Sequence, residues 1–248
     1  MDRDILIIGG GPSGLSTALH LQRIAPHLTH RILLLEKEHY PRLKLCAGGL
    51  TLDAEILLER LGLDVNEVPH VFADDIHFDF ESKGLTIRMA KRHALRVIRR
   101  DEFDHWLAKK AESRGIEIRQ GVTVKNILPQ ADGVLVETGQ GTFHAQIVVG
   151  ADGSNGVTRR CIFPKDPVYT ARVLEVITPE YDVVARSGAA RATTKQSPGL
   201  EGIAALPSVA RNDKQAYFEF SPVPNNIAGY MWGFPTHVKG EAMQCWVI

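Results

Sequence analysis

The chain has 248 residues, 44% hydrophobic and 23% charged, an ordinary globular composition with enough length for one or two domains and a sizeable core. Its 29 basic and 29 acidic residues cancel to a formal net charge of zero, so no global field steers it toward nucleic acid or anionic lipid. The three cysteines, Cys46, Cys161 and Cys245, lie far apart with no CxxC spacing and no histidine cluster, which points to reduced thiols in a cytoplasmic protein rather than to zinc or another metal. The N-terminus runs straight from Met1-Asp2-Arg3-Asp4 into a short apolar run without a secretory pattern. No stretch approaches the ~18 apolar residues of a bilayer span, so only peripheral membrane contact stays open.

In chain order, Asp4–Gly9 reads as a buried strand, a short apolar run ended by glycines. Pro12–Ile24 follows as a helix, with Leu15, Ala18 and Leu19 at helical spacing and Pro26 ending it. Arg31–Leu35 is a second buried strand, which closes a βαβ unit and implies a parallel α/β sheet. Leu52–Leu61 reads as a helix stopped at Gly62. Asp75–Phe80 and Leu85–Met89 read as a hairpin turning at Ser82-Lys83-Gly84. Arg100–Arg114 is an amphipathic helix with Phe103, Leu107 and Ala111 on one face and Gly115 at its end. Strands are expected over Ile116–Arg119, Val122–Leu128, Gly133–Thr138 and Thr142–Val149. Past about residue 165 helical periodicity fades and β-like segments such as Ala216–Ser221 dominate. There are no internal repeats. The order implies a discontinuous nucleotide domain, 1–74 with 99–163, and a β-rich second domain made of 75–98 and 164–248.

Gly9-Gly10-Gly11-Pro12-Ser13-Gly14 satisfies GxGxxG after a strand and at the start of a helix. Gly9 permits the tight turn, Gly11 lets a pyrophosphate reach the backbone, and Gly14 lets helix pack on strand. The anion then meets free N–H groups at the helix N-terminus. Glu36 ends the second strand, where an acid accepts hydrogen bonds from an adenosine ribose. The fingerprint alone does not separate FAD from NAD. The plainer alternatives are a simple βα turn for the glycines and a solvated strand-end charge for Glu36.

Three more segments carry a resemblance. They are Arg100-Asp-Glu-Phe103-Asp104, Gly121-Val122, and Gly150-Ala151-Asp152-Gly153-Ser154-Asn155-Gly156. With the fingerprint they resemble the flavoprotein superfamily of p-hydroxybenzoate hydroxylase-type enzymes, and the chain looks closest to its geranylgeranyl reductase branch. Tyr40-Pro41-Arg42-Leu43-Lys44-Leu45-Cys46-Ala47-Gly48-Gly49 resembles that branch's P-x-x-K-x-C-G-G-G stretch, with Ala47 in place of a glycine. Gly229-Tyr230-Met231-Trp232-Gly233-Phe234-Pro235 resembles its Y-x-W-x-F-P element, with Thr236 where a lysine is usual.

The resemblance implies an α/β Rossmann-like FAD/NAD(P)-binding domain with a second β-rich (α+β) substrate domain. It implies FAD as cofactor, NAD(P)H or another electron donor, and an isoprenoid or other apolar small-molecule substrate. Gly9, Gly11, Pro12, Ser13, Gly14, Glu36 and Lys37 would hold the pyrophosphate and ribose, and Val122 the adenine through its backbone. Cys46, Ala47, Gly48, Arg100 and Asp152 would face the diphosphate, ribityl and flavin, and Cys46 and Trp232 would be the catalytic candidates. Each has a plainer reading. Arg100 can be a solvated arginine paired with Asp104 at i+4, although a cation opening a helix opposes the dipole and favours a phosphate partner. Asp152 can be a turn or N-cap residue, Cys46 a small buried hydrophobe, and Trp232 and Phe234 core. Arg42 and Lys44 read equally as phosphate contacts or surface charges. His20, His27, His30 and His39 read as surface residues.

Relatives of this kind run longer and return to the sheet through a Gly-Asp-containing segment, whereas this sequence ends at Glu241–Ile248. The expectation is a truncated or frameshifted product, or a fragment, with an incomplete and weak flavin site. Three functions stay open: an isoprenoid double-bond reductase, an aromatic-type FAD monooxygenase, and an inactive or non-catalytic nucleotide-binding module.

Overall fold

The computed structural model describes residues 2–81, 83–165, 167, 173–179, 214–225 and 229–248. In chain order the strands are β1 (Asp2–Ile8), β2 (Ile32–Leu35), β3 (Gly49–Leu50), β4 (His70–Ala73), β5 (Asp75–Phe80), β6 (Lys83–Arg88), β7 (Leu95–Ile98) and β8 (Glu117–Arg119), then β9 (Val124–Gln130), β10 (Gly133–Thr138), β11 (Gly141–Gly150), β12 (Glu175–Pro179), β13 (Gln215–Glu219), β14 (Met231–Val238) and β15 (Glu241–Val247). The helices are α1 (Pro12–Ile24), α2 (Leu52–Arg60), α3 (Arg100–Ser113) and α4 (Val157–Ile162). The chain divides into two compact units, Met1–His70 with Ile98–Arg172, and Val71–Val97 with Val173–Ile248.

The first unit carries a six-stranded sheet in the order β8-β2-β1-β11-β10-β9. β8, β2, β1 and β11 are parallel, and β10 runs antiparallel to its neighbours. Alternation decides what each face buries. Ile5 and Ile7 of β1 and Ile32 and Leu34 of β2 pack under α1 and α3, against Leu15, Leu19, Phe103 and Leu107. Leu6, Ile8, Leu33 and Leu35 face the other way, onto Val122, Val124, Val136 and Phe143. Both β1 and β2 are thus covered on two sides, which is why they read as unbroken apolar runs. β9 starts at Val124 rather than at Val122, because the Val122 N–H donates to the Glu36 carbonyl (2.9 Å) and not to a strand ladder.

The second unit carries a mixed sheet, β12-β15-β14-β13-β5-β6. β5 and β6 form the expected hairpin, but β6 begins at Lys83, so the reversal is tighter than a Ser82-Lys83-Gly84 turn; Glu81 takes φ 50° there, and Ser82 lies outside the described residues. β13 pairs in parallel with β5, with Phe218 opposite Phe78 and Glu219 opposite Asp79. One face is therefore polar: buried Glu219 accepts from the Tyr217 hydroxyl (2.8 Å) and the Ser221 N–H (2.8 Å). Burial raises its pKa, but these hydrogen bonds outweigh that and hold the carboxyl below its ordinary range. The other face is aromatic and is taken up below. Among the described residues no helix is long and apolar enough to cross a membrane.

Candidate functional site

The site forms where β1 ends and α1 begins. Gly9 sits at φ +103°, and a Cβ there would stand 2.4 Å from the Ala151 carbonyl oxygen. Gly14 is closed on the same side: its Cβ would meet the Gly9 carbonyl oxygen at 1.9 Å, so α1 lies against the strand end. Gly11 faces open space instead, with Arg42 Nη2 nearest at 3.7 Å from a built Cβ. Gly11 N-caps α1 without a side-chain cap, and Pro12 fills the first turn, where a missing N–H is harmless. The helix N-terminus thus opens, through Gly11, Pro12 and Ser13, onto a cavity of about 1170 Å³.

Glu36, Lys37 and Val122 also line that cavity. Glu36 is 5% exposed, so it is not a solvated charge. Its Oε2 accepts from the Gly10 N–H (2.8 Å) and its Oε1 from the Glu38 N–H (3.0 Å). A carboxylate has about four acceptor positions, so two backbone bonds orient it and leave capacity toward the cavity. Val122 reaches the wall with its N–H already committed to Glu36, which leaves its carbonyl to offer.

Sequence reasoning left Arg42 undecided, and the structure gives it a place. Its Nη2 lies 3.1 Å from Asp104 Oδ2 and 3.3 Å from the Gly10 carbonyl oxygen, and its Nε lies 3.6 Å from Glu36 Oε2. Arg42 Nε is buried and makes no hydrogen bond. Asp104, wholly buried, also receives Arg100 through two bonds of 2.9 Å. The i+4 pairing of Arg100 is therefore real, and Arg100 still lines the cavity. Burial lowers the Arg100 pKa, but Asp104 outweighs it and the net shift is upward, so the charge is permanent. The Tyr40 hydroxyl donates to the Gly10 carbonyl. Burial, and then the nearby Glu36 charge, lift its pKa above the usual tyrosine range.

Asp152 lines the cavity, and its Oδ2 accepts from the Thr158 N–H in the first turn of α4 (3.0 Å). The N-cap of α4 is Gly156, so Asp152 braces the helix start from the preceding turn and is not itself the N-cap residue. Arg160 lines the same wall and donates to the Asn155 carbonyl (2.6 Å).

Other sequence candidates lie elsewhere. Gly14, Cys46, Ala47 and Gly48 are outside the lining. Gly48 sits at φ +80°, and its Cβ would stand 1.7 Å from the Ile98 carbonyl oxygen. A neighbouring strand is enough to require its glycine. Ala47 is buried. Cys46 is exposed, which removes the buried-hydrophobe reading, and it lies near enough to Arg100 to help raise that residue's pKa. Trp232 belongs to the second unit, 5.3 Å ring to ring from Tyr230.

The glycine turn, the uncapped helix end, the anchored acid and the cationic wall define a dinucleotide-binding α/β domain. The chain belongs to the FAD binding domain family, matched over residues 2–226, and FAD is its cofactor. The residues fit that group: open space over Gly11 admits a pyrophosphate, and the buried Arg42 Nε beside it is a donor that makes no hydrogen bond, with Glu36 Oε2 at 3.6 Å. The chain is similar to an uncharacterized protein of Methanosarcina barkeri, 26% identical over 235 residues that cover 94% of this chain and 51% of that one. It thus spans about half the length of that relative. Among solved structures it shares its fold with a geranylgeranyl bacteriochlorophyll reductase-like protein of Thermoplasma acidophilum, at TM-score 0.70 and 19% identity over 100% of this chain and 56% of that one. It shares it equally with p-nitrophenol 4-monooxygenase of Pseudomonas putida, at TM-score 0.69 and 18% identity over 100% of this chain and 58% of that one. The family is one of FAD-dependent oxidoreductases and monooxygenases.

Proposed function

We propose that the chain is the cofactor- and substrate-holding part of an FAD-dependent reductase acting on double bonds of an isoprenoid chain. The observation that carries this reading is the aromatic face of the second unit. Phe78, Phe218, Phe234, Phe220, Tyr230 and Trp232 form a run of rings with neighbouring centroids 4.9–6.3 Å apart. Register extends the same face to Phe80, Leu85 and Ile87, which are 45%, 63% and 43% exposed. A long apolar surface of this kind suits a hydrocarbon chain better than a single polar ring. The resemblance of the Tyr40–Gly49 and Gly229–Pro235 segments to the geranylgeranyl reductase branch supports the same class.

In this reading the α1 N-terminus with Gly11 and Ser13 takes the pyrophosphate, Glu36 the adenosine ribose, and the Val122 carbonyl the adenine. Lys37 flanks the ribose, Arg42 and Arg100 neutralise the diphosphate, and Asp152 stands toward the ribityl linker. When bound, FAD supplies the hydride, after reduction by NAD(P)H or another donor. The chain positions the substrate, Trp232 serves as a wall of its pocket, and the apolar face excludes water. Cys46 is proposed at the flavin end through its contact with Arg100. A substrate of this class places the protein against a membrane surface.

The test is anaerobic incubation of the flavin-loaded 248-residue chain with a chemical reductant and a geranylgeranyl lipid. Products heavier by two hydrogens per double bond support the reading. An unchanged lipid together with NAD(P)H-driven oxygen uptake on phenols would refute it. That outcome would favour the aromatic monooxygenase reading, which the fold shared with p-nitrophenol 4-monooxygenase supports.

A further inference from the structure

Asp104 has no contact with the cavity, yet it is where the cavity's two arginines meet. Its side chain is 0% exposed, and those of Arg42 and Arg100 are 11% and 17% exposed. Arg100 alone satisfies both carboxylate oxygens, through Nε on Oδ1 and Nη2 on Oδ2. Arg42, from a distant loop, adds Nη2 to the same Oδ2 at 3.1 Å. Burying a carboxylate is costly, and a simple helix-to-loop tie would need only one cation. Asp104 is thus one anion shared by two guanidinium groups, Glu36 Oε2 faces Arg42 Nε at 3.6 Å, and both arginine side chains line the cavity. Arg42 Nε is left there as a buried donor with no hydrogen bond.

We propose that Asp104 is a positioning residue for FAD, holding Arg42 and Arg100 as one preassembled cationic unit against the diphosphate. Without its charge the guanidinium groups repel, and Arg42 turns to its remaining partners, Glu36 and the Gly10 carbonyl. The cofactor would then have to bring the two cations together itself, at the cost of affinity. The proposal rests on the diphosphate placement given above and is independent of the substrate.

The experiment measures binding of FAD by flavin fluorescence, and of ADP and adenosine by calorimetry, to the 248-residue chain and to Asp104→Asn. Loss of charge-assisted positioning weakens FAD and ADP by about tenfold or more and leaves adenosine nearly unchanged. Equal loss for ADP and adenosine would mark Asp104 as merely structural and overturn the proposal, as would unchanged affinity for all three. If the unmodified chain binds FAD but gains nothing from the diphosphate of ADP over adenosine, the diphosphate placement itself fails. Should Asp104→Asn not fold, Arg42→Met, Arg100→Met and their double variant decide. A unit predicts that the double loss in FAD affinity falls short of the two single losses combined, and additive losses would overturn it.

Discussion

Replacing Gly14 by alanine sets two effects against each other. Alanine favours a helix interior over glycine by about 1 kcal/mol. At this position its Cβ lands 1.9 Å from the Gly9 carbonyl oxygen and 3.3 Å from Ala151 Cβ. The first neighbour is backbone, so no rotamer relieves the overlap, and α1 must retreat by roughly 1 Å to restore an ordinary contact. Overpacking of this kind costs about 1–3 kcal/mol, more than the helix gain at most of that range. The retreat carries Gly11, Pro12 and Ser13 away from the cavity. The expected result is a melting temperature lower by up to roughly 8 °C and FAD affinity at least about tenfold weaker. Gly11→Ala is the control. Its Cβ has nothing nearer than Arg42 Nη2 at 3.7 Å, and its φ of −81° suits any residue. It should melt like the parent chain yet lose FAD, because the new methyl stands where the pyrophosphate approaches. Differential scanning fluorimetry without cofactor, beside fluorescence titration of FAD, separates the two. A Gly14→Ala chain that melts at or above the parent temperature and binds FAD normally would refute the packing argument.

Glu36→Gln keeps one acceptor for the Gly10 and Glu38 amides but sets an NH2 against the other, and it removes the anion facing Arg42. It should destabilise the cofactor-free protein by about 1–3 kcal/mol in urea unfolding and weaken adenosine binding. The Tyr40 pKa is raised on folding, by burial first and then by Glu36, so the folded state retains a proton that the unfolded chain releases above the ordinary tyrosine value. The stability from this group is full below pH 10 and falls as the pH rises further. Parent and Tyr40→Phe chains, unfolded in urea across alkaline pH, should therefore converge in stability as the pH increases. Cys46 and Cys161 are exposed and Cys245 is 2% exposed, so a thiol reagent should modify two groups quickly and the third only on unfolding. Trp232→Ala should raise the KM for an isoprenoid lipid while leaving FAD affinity unchanged.

The βαβ start was readable from sequence because its signals are local. Two apolar runs, a helix opened by Pro12 and glycines at fixed offsets need no distant partner, and α1 spans the expected 12–24. β7 was not found. Its four residues are all buried, but one of them is Arg96, and a charge in so short a run hides the pattern. β14 was masked by Pro235, which a strand normally excludes; here Pro235 lies beyond the last residue that β14 pairs with β13. The parallel pairing of β5 with β13 joins segments far apart in the chain and leaves no local trace. The site divides in the same way. Gly9, Gly11 and Glu36 follow from spacing within one unit. The meeting of Arg42, Asp104 and Arg100 depends on how a loop folds onto a helix, and only its i+4 half could be read. Gly48 was legible as a residue of close approach, but not that the protein's own strand is the neighbour it meets.

The uncapped start of α1 also bears on how long the protein lasts. Its first amides have no side-chain partner, so the fold is completed by whatever anion arrives there. Cofactor binding is then drawn into the folding equilibrium, and stability rises with the logarithm of free FAD over its dissociation constant. Flavin supply would then help to set how much of this protein persists in a cell.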